Sequence, residues 1–88
     1  MNLKELNPEQ IAKEVYALVE DRLGVRRSEI APEKDLVNDL GADSLDSVEL
    51  IMAIEQQFDI TIPDSDTENI KTIGDILKYL NNYEENKN

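Results

Sequence analysis

The sequence contains no cysteine and no histidine. The first absence excludes disulfides, a thiol nucleophile and zinc–thiolate sites, and it leaves the redox compartment open. The second excludes histidine-assisted nucleophilic catalysis, imidazole acid–base work near neutral pH and histidine metal ligands. Aromatic residues are scarce: Tyr16, Phe58, Tyr79 and Tyr83, with no tryptophan. Long apolar runs are also missing. The longest is Leu50 to Ile54, far short of the ~20 residues a membrane helix needs. Residues 1–7 hold no apolar signal-peptide core. A soluble, unexported protein is expected, cytoplasmic or in an organelle matrix if eukaryotic, with no membrane insertion. The 88 residues suit one domain, residues 1–88. A domain of this size buries roughly 60% of its unfolded surface, so its core is thin.

Basic charge is the other shortage. Nine Lys and Arg face twenty Asp and Glu, for a net charge of −11. Residues 35–70 carry ten of the acids (Asp35, Asp39, Asp43, Asp46, Glu49, Glu55, Asp59, Asp64, Asp66 and Glu68) and no Lys or Arg. Phosphates would repel such a chain, which argues against nucleic acid. Basic protein surfaces are favoured instead. The plainer reading is a solvated acidic face or a disordered tract. The same stretch also holds Leu36, Leu40, Leu45, Val48, Leu50, Ile51, Met52, Ile54, Phe58 and Ile62, so it is expected to fold and present its charge outward.

The pattern along the chain predicts helices. Asn7, Pro8 and Gln10 form a capping signal. Ile11, Val15, Leu18 and Val19 follow at helical spacing, and Leu23-Gly24 is a stop. Residues 25–42 show no clear period and read as a long loop pinned by a few apolar side chains, which is often functional. Asp43 and Asp46 mark a second helix from about Ser44 to Phe58. Ile60-Thr61-Ile62 alternates like a strand but has no partner run, so it reads as an extended loop ending at Pro63. Asp64 to Ile70 suits a helical turn or two. Thr72 and Asp75 cap a final helix carrying Ile73, Ile76, Leu77 and Leu80, with Tyr83 a turn beyond. Residues 1–7 and 84–88 are expected to fray. The predicted fold is all-α: a small four-helix bundle of three main helices and one short one, with a long loop after the first.

The second helix has two apolar faces. At about 100° per residue, Leu50, Ile51, Ile54 and Phe58 fall on one side, while Leu45, Val48 and Met52 fall on another. A bundle helix needs only one such stripe. Either the helix is central and buries both faces, or the Leu–Val–Met patch is an exposed docking stripe. Methionine suits a surface that meets several partners, and the surrounding carboxylates would steer basic surfaces in.

Ser44 stands at the start of this helix. It could be a cap, but Asp43 already serves as one, which frees the hydroxyl. No His or Cys is present to activate it, so it reads as an acceptor modified by another enzyme rather than a nucleophile. A phosphate there would meet the exposed N–H groups of a helix N-terminus.

The run Gly41-Ala42-Asp43-Ser44-Leu45-Asp46, followed by Ser47-Val48-Glu49-Leu50-Ile51-Met52-Ala53-Ile54-Glu55, resembles the signature of acyl carrier proteins. More narrowly, it resembles the discrete carrier of bacterial-type fatty acid synthesis. The resemblance runs from about Ile11 to Tyr83 and takes in Leu23-Gly24-Val25, Asp39-Leu40-Gly41, Phe58-Asp59 and Ile62-Pro63-Asp64. It implies that Ser44 carries 4′-phosphopantetheine, transferred from coenzyme A by a phosphopantetheinyl transferase. The thiol of that arm would hold growing acyl chains as thioesters, and the protein would be a carrier, not an enzyme. By position, the resemblance implies a partner-contact set of Asp43, Leu45, Asp46, Val48, Glu49, Met52 and Glu55, facing fatty acid synthesis enzymes with basic docking patches. It implies acyl-chain lining by Leu36, Ile54, Ile70 and Ile76, no metal, and a monomer. Gln56 and Gln57 stand where the family often has acids, and Arg26-Arg27 puts a basic pair in the first loop.

Alternatives remain at this stage. A carrier for polyketide, aminoacyl or lipid A acyl transfer would share the chemistry at Ser44. A calcium-binding module is another: Asp64, Asp66 and Glu68 alternate, with Asp75 twelfth. However, Asn69 and Asp75 stand where such a loop wants Gly and Glu. A free-standing enzyme would use paired carboxylates such as Asp43 and Asp46, but the chain is too short for a second lobe to form a cleft.

Overall fold

The computed structural model describes residues 1–83, and its regular elements are helices. Helix α1 spans Pro8–Leu23, α2 Ser44–Phe58, α3 Asp64–Thr67 and α4 Ile73–Asn81. The four-helix architecture, with three main helices and one short one, is the one predicted. The expected tail over residues 84–88 lies outside the described residues.

Helix α1 starts as its sequence dictates. The Asn7 side chain accepts from Gln10 N at 2.8 Å, and the Gln10 side chain accepts from Asn7 N at 2.9 Å. Gly24 ends it at φ 68°, a left-handed geometry that suits a residue without Cβ. Ile11, Val15 and Val19 face the core. Tyr16 is buried beside them, and the Arg27 guanidinium lies 4.1 Å from its ring centroid. One of the two loop arginines thus packs on an aromatic face.

Residues 1–7 differ from the expected frayed tail. Leu3–Glu5 forms a 3₁₀ turn capped by the Asn2 side chain, and Leu3 is buried in the core. With Leu6 packed beside it, Leu3 ties down a terminus that composition alone marks as free.

The long loop also has more order than its lack of periodicity predicts. Arg27–Glu29 is a 3₁₀ turn. Residues 32–36 then run beside the start of α4. Leu36 N donates to Lys71 O at 2.9 Å, Ile73 N to Lys34 O at 3.1 Å and Gly74 N to Pro32 O at 2.7 Å. Asp35 accepts from Val37 N and Asn38 N, and Asp39 accepts from Asp35 N. These acids hold the loop together. Ile30, Leu36, Leu40 and Ala42 anchor it to the core.

Helix α1 packs on α2 and α4, while α3 packs on the other helices only weakly. The core is built from Val15, Val19, Leu50, Ile54, Phe58, Ile73 and Ile76, all with almost no exposure. Asp59 ends α2 in the left-handed region at φ 57°, and the chain then passes Ile60 and Ile62 inward with Thr61 outward. This is the extended connection the alternation predicts.

Candidate functional site

Ser44 is the first residue of α2 and is exposed. The cap is built around it without using its hydroxyl. Asp43 Oδ1 accepts from Asp46 N at 2.8 Å, and Asp46 Oδ2 accepts from Asp43 N at 3.2 Å. The two carboxylates cap each other's backbone, so the Ser44 hydroxyl is left facing solvent. The remaining N–H groups of the first turn point outward there, an arrangement that favours an anion.

The two faces of α2 separate as predicted. Leu50, Ala53, Ile54 and Phe58 are buried. Leu45, Val48 and Met52 are 63%, 54% and 51% exposed, so the Leu–Val–Met stripe is a surface and not a second core face. Glu49 is exposed beside it. Asp43 and Asp46 combine capping with surface charge. Glu55 differs from the rest of the set: its Oε2 accepts from Ile62 N at 2.7 Å, a part-buried bond that ties α2 to the segment before α3.

A cleft of about 240 Å³ opens one helical turn along from Ser44, between α2 and the α3 region. Leu36 and Ile70 line it, together with Ser47, Ile51, Ile62 and Thr67. Ile54 and Ile76, which the resemblance also places beside an acyl chain, are 0% and 2% exposed and lie in the core, not on this cleft. The reason is angular. Ile54 shares the inward face with Leu50 and Phe58, whereas the cleft follows the flank that carries Ile51 and Glu55. A larger groove, about 700 Å³, lies between α3 and α4 and is lined in part by Pro63, Tyr79 and Tyr83. Across it, Tyr79 Oη donates to Asp66 at 2.8 Å. Burial and this bond hold the Tyr79 phenol above its ordinary pKa.

The acids of the calcium alternative do not converge. Asp64 and Asp66 sit in α3, with Asp66 bonded to Tyr79. Asp75 accepts from Lys71 N and Thr72 N at 2.9 and 3.1 Å, which lowers its pKa below 3.8. Among the described residues there is no group of three or more acids placed to hold a metal.

Sequence reasoning missed three contacts. Gln57 Nε2 donates to Glu14 at 2.8 Å, joining α2 to α1. Glu55 binds Ile62 N, and Gly74 lies against Pro32. Only the alternation at Ile60–Ile62, which brings that segment back toward α2, hinted at the second.

Comparisons with known proteins bear on the family and the fold. The pattern of the family described as "Phosphopantetheine attachment site" matches residues 13–80. The fold is similar to that of a putative acyl carrier protein from Mycobacterium tuberculosis, with a TM-score of 0.73 and 38% sequence identity over 77% of this chain and 90% of that one.

Proposed function

The chain belongs to the phosphopantetheine-attachment family of acyl carrier proteins, and on that premise we propose that Ser44 is its attachment residue and that its cargo belongs to fatty acid synthesis. Members of the family are carriers rather than enzymes. They meet a phosphopantetheinyl transferase and acyl-handling enzymes. The 4′-phosphopantetheine arm supplies the thiol that this chain lacks and holds acyl groups there as thioesters.

The residues present fit such a group. The observation that carries the reading is the Ser44 hydroxyl: exposed, uncommitted, and at the N-terminus of a fifteen-residue helix whose cap is supplied by Asp43 and Asp46. The first-turn N–H groups offset the charge of a phosphodiester at Ser44 Oγ. Leu45, Val48 and Met52 form the apolar centre of the docking face, and Asp43, Asp46 and Glu49 its charged rim. The apolar centre supplies contact area, and the rim steers basic patches onto it. Leu36, Ile51, Ile62 and Ile70 form the walls that would shield an acyl chain.

The acid excess around Asp43-Ser44-Leu45-Asp46 favours fatty acid synthesis over the other carrier pathways. The test offers the phosphopantetheine-bearing protein to a malonyl transferase of fatty acid synthesis and to an aminoacyl-activating enzyme. Malonyl loading with no aminoacyl loading supports the reading. The reverse would assign the chain to another pathway.

A further inference from the structure

We propose that Glu55 is a latch on the acyl-chain cleft, fixing its width and so how well it retains a chain; this rests on the carrier reading of Ser44. The cleft has two walls. One is α2, through Ser47, Ile51 and Glu55 with Val48 and Met52 at its outer edge, and the other is the Ile62–Ile70 stretch that includes α3. Helix α3 is four residues long and packs weakly on the other helices, so this wall is held by the Ile62 and Ile70 side chains and by hydrogen bonds. Two side-chain bonds fasten it. Asp66 ties it to Tyr79 of α4, away from the cleft. Glu55 ties Ile62 N to α2 across the cleft floor at 2.7 Å. Among the described residues, Glu55 is the one α2 side chain hydrogen-bonded to residues 59–70. Its backbone carbonyl also accepts from Ile60 N at 3.0 Å, so one residue holds the segment at two points.

The bond is short, part-buried and made to a carboxylate, which places it among the stronger hydrogen bonds of a protein. Ile62 is itself a cleft wall and 5% exposed. Releasing its N–H lets that wall move away from Ile51. Residue 55 therefore acts on the stored chain from inside the domain, in addition to any charge it shows a partner.

Two substitutions separate the bond from the charge. Glu55→Gln removes the charge and keeps an acceptor oxygen at the same reach. Glu55→Asp keeps the charge and withdraws the acceptor by one methylene. Each protein carries phosphopantetheine charged with octanoyl or acetyl, and cleavage of the thioester by hydroxylamine is timed. Acetyl is too short to fill the cleft and corrects for intrinsic reactivity. A latch protects octanoyl relative to acetyl in wild type, keeps most of that protection in Glu55→Gln, whose neutral oxygen still accepts though more weakly, and loses most of it in Glu55→Asp. Ile62 amide exchange in Glu55→Asp rises about tenfold, as expected for loss of a charge-assisted bond. If Glu55→Asp does not reach wild-type helicity, Glu55→Ala takes its place, since alanine lacks the acceptor but favours the helix.

Equal protection in wild type and the acceptor-short variant overturns the latch and leaves the carrier reading intact. Loss in Glu55→Gln with retention in Glu55→Asp also overturns it, because charge would then be the working feature. A wild-type chain that takes up no phosphopantetheine overturns the carrier reading and the gating role together.

Discussion

The Gln57 side chain donates to Glu14 at 2.8 Å and so joins α2 to α1. Gln57→Glu sets two carboxylates at that distance and removes the donor. It should destabilise the fold by roughly 1–2 kcal/mol, more at low salt, as read by urea unfolding; an unchanged midpoint would show that the bond contributes nothing. This contact joins residues 43 apart in sequence, and no local pattern announces it. Ser44, Asp43 and Asp46 were legible because a cap is a local motif: spacing of three residues at a helix start fixes the geometry. Glu55 was read only as surface charge, because its partner Ile62 lies beyond the end of α2. Ile54 and Ile76 lie in the sealed core rather than on the open cleft. Apolar identity marks a residue as inward-facing, but it does not say whether the space inside is sealed core or open cleft.

Helix α2 presents the proposed site, and its two stripes differ in burial. Its inward stripe seals against α1, and its outward stripe stays 51–63% exposed at Leu45, Val48 and Met52. Leu45→Ser with Met52→Ser should leave stability within about 0.5 kcal/mol, as surface changes do. It should raise the KM of an acyl-handling partner enzyme about tenfold, the loss of one buried anchor. An unaltered KM would remove the stripe from the docking face. This division was legible in the sequence, since helical periodicity fixes angles around an axis. The ordered part of the long loop was not, because its bonds run from residues 32–36 to 71–74. Gly74 is central to that seam. A Cβ there would lie 2.9 Å from the Pro32 carbonyl oxygen. Gly74→Ala gains at most about 1 kcal/mol of helix propensity against an overpacking cost of about 1–3 kcal/mol. A lower Tm is expected, and a higher one would show that the loop yields freely at Pro32.

For the whole molecule, a net charge of −11 is met, among the described residues, by a single ion pair, Arg22 with Asp21, at an exposed site. Such a pair contributes little, so repulsion across residues 35–70 goes largely unopposed. Raising salt from low to physiological strength contracts the screening length from roughly 30 to 8 Å, and the Tm should rise with it. A flat Tm would mean that the capping bonds already disperse the charge. The measurement that bears most directly on the account is the intact mass of this protein and of Ser44→Ala, before and after incubation with coenzyme A, magnesium and a broad-specificity phosphopantetheinyl transferase. Wild type should gain one phosphopantetheine, and Ser44→Ala, with its cap bonds intact and its helicity unchanged, should gain none. A gain in both, or no gain in a folded wild type that does not already carry the arm, would contradict the assignment of Ser44 as the attachment residue.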